Sequence, residues 1–236
     1  MPRMAGHRGY GQFCPVAKAS EIVAERWTPL VLRELIAGSH RFNELRRGVP
    51  LMSSALLSQR LKELEHAGII ERRSVDGVIE YHLSKAGEEL QPVIDALGLW
   101  GARWTPSRLT RNDYDASLLM WDIRRRVDAS QLPPSRTVVE FDLRGAERRY
   151  ARWWLVASDR DVDLCLKDPG HEVNVRVDAD VRALVDVWMG RQRMDDAIRA
   201  GTIAFQGPRP LVSSFRKSLG LSVFAPAAPR SARRRE

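Results

Sequence analysis

The chain has 236 residues, a length that favours two compact domains. Of these residues, 44% are hydrophobic and 29% charged, a globular balance that excludes wholesale disorder and collagen-like or low-complexity architectures. No apolar run approaches the roughly 18 residues that cross a bilayer, and no apolar signal segment opens the chain, so we expect a cytoplasmic protein with no membrane partner. The formal charge of +8 favours a polyanionic partner only weakly, because the basic excess is spread along the chain.

Four helices are predicted at the N-terminal end of the chain. Thr28 and Pro29 form a good N-cap and first-turn pair for the second helix, and Ser53 can cap the fourth. Glycines end the second and fourth helices. The four segments are about 15–26, 28–38, 43–47 and 53–68.

The fourth helix is the most informative of these segments. Its leucines cluster on one face, which predicts that this face packs inward. Short or hydrogen-bonding side chains dominate the remaining positions, where an average solvated helix would carry more Glu and Lys. These positions are Ala55, Ser58, Gln59 and Lys62. Side chains of this kind allow close approach to another surface.

A hairpin is predicted next, because β-rich segments flank Asp76-Gly77, the strongest short signal for a two-residue turn. One further helix runs from Lys85 to about Trp104. Helices followed by a two-stranded wing make a winged helix-turn-helix, in which the 53–66 helix would enter the major groove of DNA. Four cations flank this helix and are expected to contact phosphates: Arg46, Arg47, Arg72 and Arg73.

Four strings between residues 13 and 104 have a specific order and spacing: CPVAKASEIVAERWTPLVLREL, HRFNELRRGVP, MSSALLSQRLKELEHAGIIERR and LGLWGARW. They resemble the HxlR family of bacterial winged-helix transcriptional regulators, which are relatives of the MarR type. The resemblance implies a homodimer whose first and last helices form the subunit interface. The interface candidates are Ile22, Trp27, Leu97, Trp100 and Trp104, with ordinary core packing as the alternative, because exposed and buried apolar helices look alike in sequence.

A second pattern begins after a linker near residue 110. Apolar spacing predicts a helix around 118–127, which Pro133-Pro134 must end. Strands of an antiparallel sheet are predicted at 137–143, 150–157, 162–166 and 172–177. Helices at 179–190 and 194–200, a short strand at 202–206 and a helix at 209–219 complete the chain, so the predicted fold class is α+β.

The final segment, DVRALVDVWMGRQRMDDAIRAGTIAFQGPRPLVSSFRKSLGL, orders a helix, a Gly, a short helix, a strand and a last helix. In this order it resembles sterol-carrier-protein-like domains over about residues 115–225. The resemblance implies a five-stranded antiparallel sheet with helices on one face, an apolar tunnel for lipid-like molecules, and hence an effector domain. Candidate wall residues are Trp121, Phe141, Trp153, Trp154, Trp188, Phe205 and Phe215, with plain core packing as the alternative for each.

Cys14 lies just ahead of the first helix, where the helix N-terminus and nearby His7, Arg8 or Lys18 favour a thiolate. Several HxlR-type regulators sense oxidants or electrophiles through a cysteine in this setting, so the resemblance makes Cys14 a candidate sensor. A half-buried packing role is the alternative. Cys165 lies inside a strand pattern and is expected in the core.

Motifs for catalysis and metal binding are absent from the sequence. The five histidines and two cysteines have no ligand spacing, and no P-loop, GxSxG or HExxH occurs. We therefore expect no metal, no cofactor and no enzymatic activity.

These observations predict a nucleoid-associated homodimer that represses transcription from an inverted-repeat operator in double-stranded DNA. Base edges or nearby phosphates are expected to contact Ser53, Ser54, Ser58, Gln59 and Lys62, and Gln59 can pair with adenine. An apolar small-molecule effector in the C-terminal domain, or modification of Cys14, would modulate binding. The alternative is a lipid or small-hydrophobe carrier with a secondary DNA-binding domain.

The predicted domain limits follow from these assignments. They are a flexible N-terminus (1–12), an HxlR-type winged-helix domain (13–108), a sterol-carrier-like domain (113–225) and a basic disordered tail (226–236).

Overall fold

The computed structural model describes residues 9–158 and 161–225. It forms two compact units, which divide between Ala96 and Leu97. Residues 1–8 of the predicted N-terminus, and the whole of the predicted basic tail, lie outside the described residues, and the domain limits stay predictions. Of the helices in the described part of the chain, none is long and apolar enough to cross a membrane.

Helices and one hairpin build the N-terminal unit, whose last helix crosses the division. In chain order the elements are α1 (Pro15–Val23), α2 (Thr28–Ile36), α3 (Phe42–Gly48), α4 (Ser54–His66), β1 (Ile70–Val75), β2 (Val78–Leu83), α5 (Lys85–Glu88) and α6 (Gln91–Trp104). The four predicted helices and the hairpin are confirmed. The predicted cap of the second helix is wrong, because the N-cap of α2 is Trp27 and Thr28 is its first helical residue, with no hydrogen bond from a side chain at the cap. Asp76 and Gly77 both have positive φ, 50° and 77°, as a turn matched to the strand twist requires.

The helix predicted from Lys85 to Trp104 is two helices, α5 and α6. Pro92 explains the break, because in a continuous helix it would lack the hydrogen bond to Glu88 and its ring would clash with that carbonyl. Near the start of α6, instead, a missing N–H costs nothing.

The core of the N-terminal unit is built from the inward faces of α2, α3, α4 and α6. Leu57, Leu61 and Leu64 of α4 are each at most 2% exposed, which confirms the predicted inward face of this helix. Leu32 and Leu45 pack in the same cluster. The burial of three leucines on one side leaves the opposite side of α4 in solvent.

A buried carboxylate ties α3 to α2. Glu34 is fully buried, and its carboxylate accepts hydrogen bonds from Arg33 Nη2 at 2.7 Å and Ser39 Oγ at 3.1 Å. Arg33 Nη2 also donates to the Gly48 carbonyl at 2.8 Å. A Cβ on Gly48 would lie 1.8 Å from the Glu34 side chain, so glycine alone fits here. These contacts position the segment that leads into α4.

The C-terminal unit is an α+β structure around one five-stranded sheet. After α6 its elements are α7 (Ala116–Arg126), β3 (Thr137–Arg144), β4 (Arg152–Ser158), β5 (Asp161–Cys165), β6 (Val175–Asp180), α8 (Val181–Trp188), α9 (Met194–Arg199), β7 (Ile203–Gln206) and α10 (Arg209–Ser218). Strand order is β5-β4-β3-β6-β7. From α8 to α10, this is the predicted order of helix, Gly, short helix, strand and helix.

The prediction of a wholly antiparallel sheet is wrong, because β3 and β6 pair in parallel. The other three pairings are antiparallel. Strands β3 to β5 form a meander, and residues 166–174 then return the chain to the far side of β3. Alternation of apolar residues determines which face a side chain occupies but not the direction in which its neighbour runs, so the sequence pattern carried no signal for this crossover.

One face of the sheet carries the core of the C-terminal unit. Val139, Phe141, Trp153, Leu155 and Val177 belong to a single buried cluster with residues of the helices. Residues between them in sequence point to the other face, which is rich in ion pairs: Glu140 contacts both Arg152 and Arg176, at 3.6 and 3.0 Å. The sheet therefore has one apolar and one charged side.

Candidate nucleic-acid interface

The outward side of α4 is the centre of the candidate interface. Ser53 caps the helix, since its Oγ accepts a hydrogen bond from the Leu56 amide at 3.3 Å. Four of the five predicted contact residues are exposed, and one is half-buried. They are Ser53, Ser54, Gln59 and Lys62, exposed, and Ser58, half-buried.

Gln59 is held in place by its own helix. Its Nε2 donates to Glu63 Oε1 at 3.0 Å, which leaves the amide oxygen directed away from that carboxylate. Glu63 also forms an ion pair with Arg60, whose Nη1 lies 2.6 Å from Glu63 Oε2, and Arg60 Nη2 lies 3.5 Å from Glu25 Oε2 just after α1. An amide whose orientation is set before binding loses less entropy when it contacts a base edge.

Arg60 is the residue of this site that the sequence analysis missed. It is only 9% exposed, and its guanidinium forms ion pairs with the carboxylates of Glu63 and Glu25. A signal was present: Arg60 lies three residues after Leu57 and four before Leu64, which places it on the buried stripe of the helix. Its ion pairs hold α4 against the end of α1.

Arginines lie before and after α4 in the sequence. Arg46 and Arg47, in the last turn of α3, are exposed, and so are Arg72 and Arg73 on β1. Arg73 pairs with Glu71 on the same strand, with Nη2 2.8 Å from Oε2. An exposed pair of this kind is weak and can exchange its carboxylate for a phosphate.

The wing is anchored to the segment between α2 and α3. The Tyr81 amide donates to the His40 carbonyl at 2.8 Å, and Arg41 Nε donates to Glu80 Oε1 at 3.1 Å. The hydrogen bond from Arg41, followed by one from His82, lowers the pKa of the Glu80 carboxyl. Glu80 is therefore ionised at neutral pH and keeps its pairing with Arg41.

The predicted interface residues fall into two groups. Ile22 and Trp27 are half-buried and pack against the core of the N-terminal unit. Leu97, Trp100 and Trp104 on α6 are 52%, 56% and 63% exposed. Their spacing of three and four residues places these three large apolar side chains along one stripe of the helix.

Cys14 occupies the N-cap position of α1 and is half-buried, with no hydrogen bond from its side chain to the helix. Of the cations invoked near it, Lys18 is paired with Glu21 at 2.9 Å. His7 and Arg8 lie outside the described residues. Cys165 is also half-buried, on the charged face of the sheet opposite Trp154 rather than in the core.

The seven predicted wall residues do not surround one cavity. Phe141, Trp153, Trp188 and Phe215 are buried in the core of the C-terminal unit, with Phe205 against it. Trp154 lies on the opposite face of the sheet from Trp153, since neighbours in a strand point to opposite sides. Trp121 is buried outside that cluster, beneath the guanidinium groups of two α7 arginines. Their positions match the alternative of core packing.

A cleft of about 1500 Å³ is nevertheless present in the C-terminal unit. Trp188 is the one predicted wall residue among those lining it, and charged side chains line it extensively. Within the part of the chain that the structure describes, no cluster of three or more His, Cys, Asp or Glu residues has metal-binding geometry.

Comparison with known proteins finds relatives for the N-terminal part of the chain. Residues 22–108 match the profile of the HxlR-like helix-turn-helix. YvaP of Bacillus subtilis (strain 168), an uncharacterized HTH-type transcriptional regulator, is 36% identical over 97 residues, covering 39% of this chain and 90% of the relative. The regulator sll1512 of Synechocystis sp., likewise uncharacterized, is 35% identical over 112 residues, covering 46% of this chain and 80% of the relative.

Among solved structures, the redox regulator HypR in its oxidized form is 32% identical, with a TM-score of 0.36, over 37% of this chain and 94% of that chain. Each of these matches covers less than half of the present chain. Since the YvaP match extends over nine-tenths of that relative, and since residues 22–108 fold as helices with a wing, this chain belongs to the HxlR-like helix-turn-helix family of transcriptional regulators.

Proposed function

We propose that the protein is a homodimeric repressor that binds an inverted-repeat operator in double-stranded DNA, with α4 of each protomer in the major groove. The observation that carries this proposal is the outward side of α4, where short polar side chains stand exposed over a buried leucine face. Short polar side chains allow the backbone of such a helix to come close to base edges in the major groove.

A binding experiment should distinguish contacts to base edges from contacts to phosphates. Gln59, oriented by Glu63, reads one base pair, so Gln59→Ala should reduce discrimination there by about 1–3 kcal/mol. Arg46 contacts phosphate, so Arg46→Ala should weaken all sequences alike and lower the salt slope by about one.

The experiment is selection of bound genomic fragments, followed by salt-controlled titration of the selected operator. Half-site centres about 10 base pairs apart, or a multiple of that, are expected for a two-fold dimer. Gln131→Ala and Arg148→Ala, at exposed positions of the C-terminal unit, serve as matched controls. Unchanged operator preference in Gln59→Ala would remove α4 from the reading role.

The proposed dimer uses the apolar stripe of α6. Trp100, 56% exposed, belongs to a stripe that is costly to leave in water. Trp100→Glu should convert the dimer to a monomer in sedimentation velocity, whereas Arg103→Glu, a neighbouring exposed position, should not. A dimer that survives Trp100→Glu with undiminished affinity would place the interface elsewhere.

Cys14 is proposed as the redox-sensitive group. Two Cys14 thiols from two protomers would form one disulfide, with two protons and two electrons passing to an oxidant such as diamide. Diamide should then release the wild-type protein and Cys165→Ser from the operator but not Cys14→Ser. Equal release of all three would exclude this role.

The C-terminal unit is proposed as a sterol-carrier-like effector domain, supported by its five-stranded sheet and the order of elements from α8 to α10. Its effector is expected to change operator affinity. If a bound ligand leaves operator affinity unchanged, the carrier function is favoured over regulation by that ligand.

A further inference from the structure

The cleft of the C-terminal unit has a charge distribution that an apolar tunnel would not have. Five cationic and three anionic side chains line it. Each anion is already engaged by an arginine: Asp186 by Arg191, with Oδ1 2.7 Å from Nη2, Asp195 by Arg216, and Asp196 by Arg199. The carboxylates therefore do not neutralise the remaining cations.

Three of the lining cations are left without a carboxylate partner among the described residues: Arg182, Arg193 and Lys217. All three are exposed to solvent. They come from three separate elements, the start of α8, the residue before α9 and the end of α10. Cations from separate elements that face one cleft without counter-charges create a positive potential within it.

Apolar groups share the same cleft. Tyr114 lies on its wall with the Arg182 guanidinium 5.6 Å from the ring centroid, and Trp188, Leu219 and Leu221 line other parts. The volume of about 1500 Å³ far exceeds that of an inorganic anion. The cleft thus offers both an anion-attracting group of side chains and apolar surface for an organic body.

From this combination we infer that the cleft binds an amphipathic organic anion, that is, a carboxylate or similar acidic group on an apolar or aromatic body. Arg193 and Lys217 would contact the acidic group, and Tyr114 and Trp188 would contact the body. This assignment rests on the proposed effector domain and names the class of its ligand. It differs from a purely apolar ligand, for which the three unpaired cations would be a desolvation cost.

The test compares two probes of equal shape on the full-length protein. Fluorescence anisotropy of 1-pyrenebutyrate and of 1-pyrenebutanol measures affinity for an acid and for its neutral alcohol. The acid should bind at least about tenfold more tightly, because hydrogen bonds to a charged group are about twice as strong as neutral ones. The double variant Arg193→Gln, Lys217→Gln should remove this preference and leave the affinity for the alcohol unchanged.

Controls separate the alternatives. Arg148→Gln, an exposed cation outside the cleft, should leave both affinities unchanged. Dodecanoate should displace the acid probe, and phosphate at the same concentration should not. Equal affinity for acid and alcohol, an unaltered acid preference in the double variant, or equal displacement by phosphate would each overturn the assignment.

The assay contains no DNA, so its outcome is independent of operator binding. If the acid probe does not bind but the protein still binds its operator, the ligand assignment is refuted and the proposed regulator is not. If the protein binds no operator but still binds the acid probe, the proposed regulator is refuted and the ligand assignment is not.

Discussion

The two units achieve order by different means. In the N-terminal unit, buried polar groups sit within a small helical core: Thr28, Glu34, Ser39 and Arg60 are all at most 9% exposed. In the C-terminal unit the buried polar residues among those described are Thr137 and Ser218, and a large apolar cluster covers one face of the sheet. Paired buried charges thus position the helices of one unit, and apolar packing positions the elements of the other.

This difference has a physical reason. Apolar contacts are non-directional, and a small helical core can repack in several ways, whereas a buried carboxylate tolerates only arrangements that satisfy its oxygens. The Glu34 cluster joins α2 to α3, and the Arg60 pairs join α4 to the end of α1. Directional contacts therefore lie where the orientation of the candidate reading helix is decided.

The largest expected effect is on the buried charge of the N-terminal unit. Glu34→Ala should lower the free energy of unfolding by about 3–5 kcal/mol, because it leaves Arg33 without its buried partner. Urea denaturation combined with hydrogen-exchange mass spectrometry should locate the loss in the N-terminal unit. Glu88→Ala, exposed on α5, is the control, and an equal loss there would contradict the contrast between the units.

The corresponding test of the C-terminal unit removes apolar volume. Leu155 is fully buried in the sheet core. Leu155→Ala should lower the free energy of unfolding by about 2–5 kcal/mol, because apolar burial is lost and a cavity is left behind. Loss of amide protection should be confined to the C-terminal unit. Leu166→Ala, at a side chain 48% exposed, should cost far less. Similar losses for the two leucines would show that this core is loosely packed.

A smaller effect is expected at the N-cap of α4. Ser53→Ala should destabilise by about 1 kcal/mol, because the Leu56 amide loses its acceptor. Ser54→Ala, one residue further on, removes no cap and should be close to neutral. Thermal unfolding of both variants measures the difference, and equal melting temperatures would deny Ser53 its capping role.

The smallest effect is expected for a surface ion pair in the C-terminal unit. Glu147 and Arg149 form a pair in which both side chains are about 70% exposed. A double-mutant cycle with Glu147→Ala and Arg149→Ala should give a coupling of about 0.2–1 kcal/mol that declines with added salt. A coupling comparable to the effect of Glu34→Ala would mean that burial is not what distinguishes the charges of the two units.

Sequence patterns predicted the parts of the molecule that local chemistry controls. The leucine periodicity of α4, the Ser53 cap and the Asp76-Gly77 turn each depend on residues close together in the chain, and each prediction is confirmed. The prediction of a single helix from Lys85 onward is wrong even though its cause is local, because Pro92 breaks the helix at the preceding turn.

Patterns were insufficient where partners are distant in sequence. The burial of Arg60 depends on Glu25, 35 residues away, and the ligand class inferred for the cleft depends on cations from three elements. Aromatic residues looked like pocket walls because cores and pockets have the same composition. Side-chain type did not reveal that Trp188 alone among them reaches the cleft.

The amino-acid sequence alone determined most of the helices and strands, the inward face of α4 and the likeness to a regulator family, because these follow from spacing and from short-range hydrogen bonds. Tertiary structure alone decided the parallel pairing of β3 with β6, the buried charges that orient α4, and the unpaired cations of the cleft. Those features depend on which distant segments meet, and periodicity within one segment does not encode its neighbour.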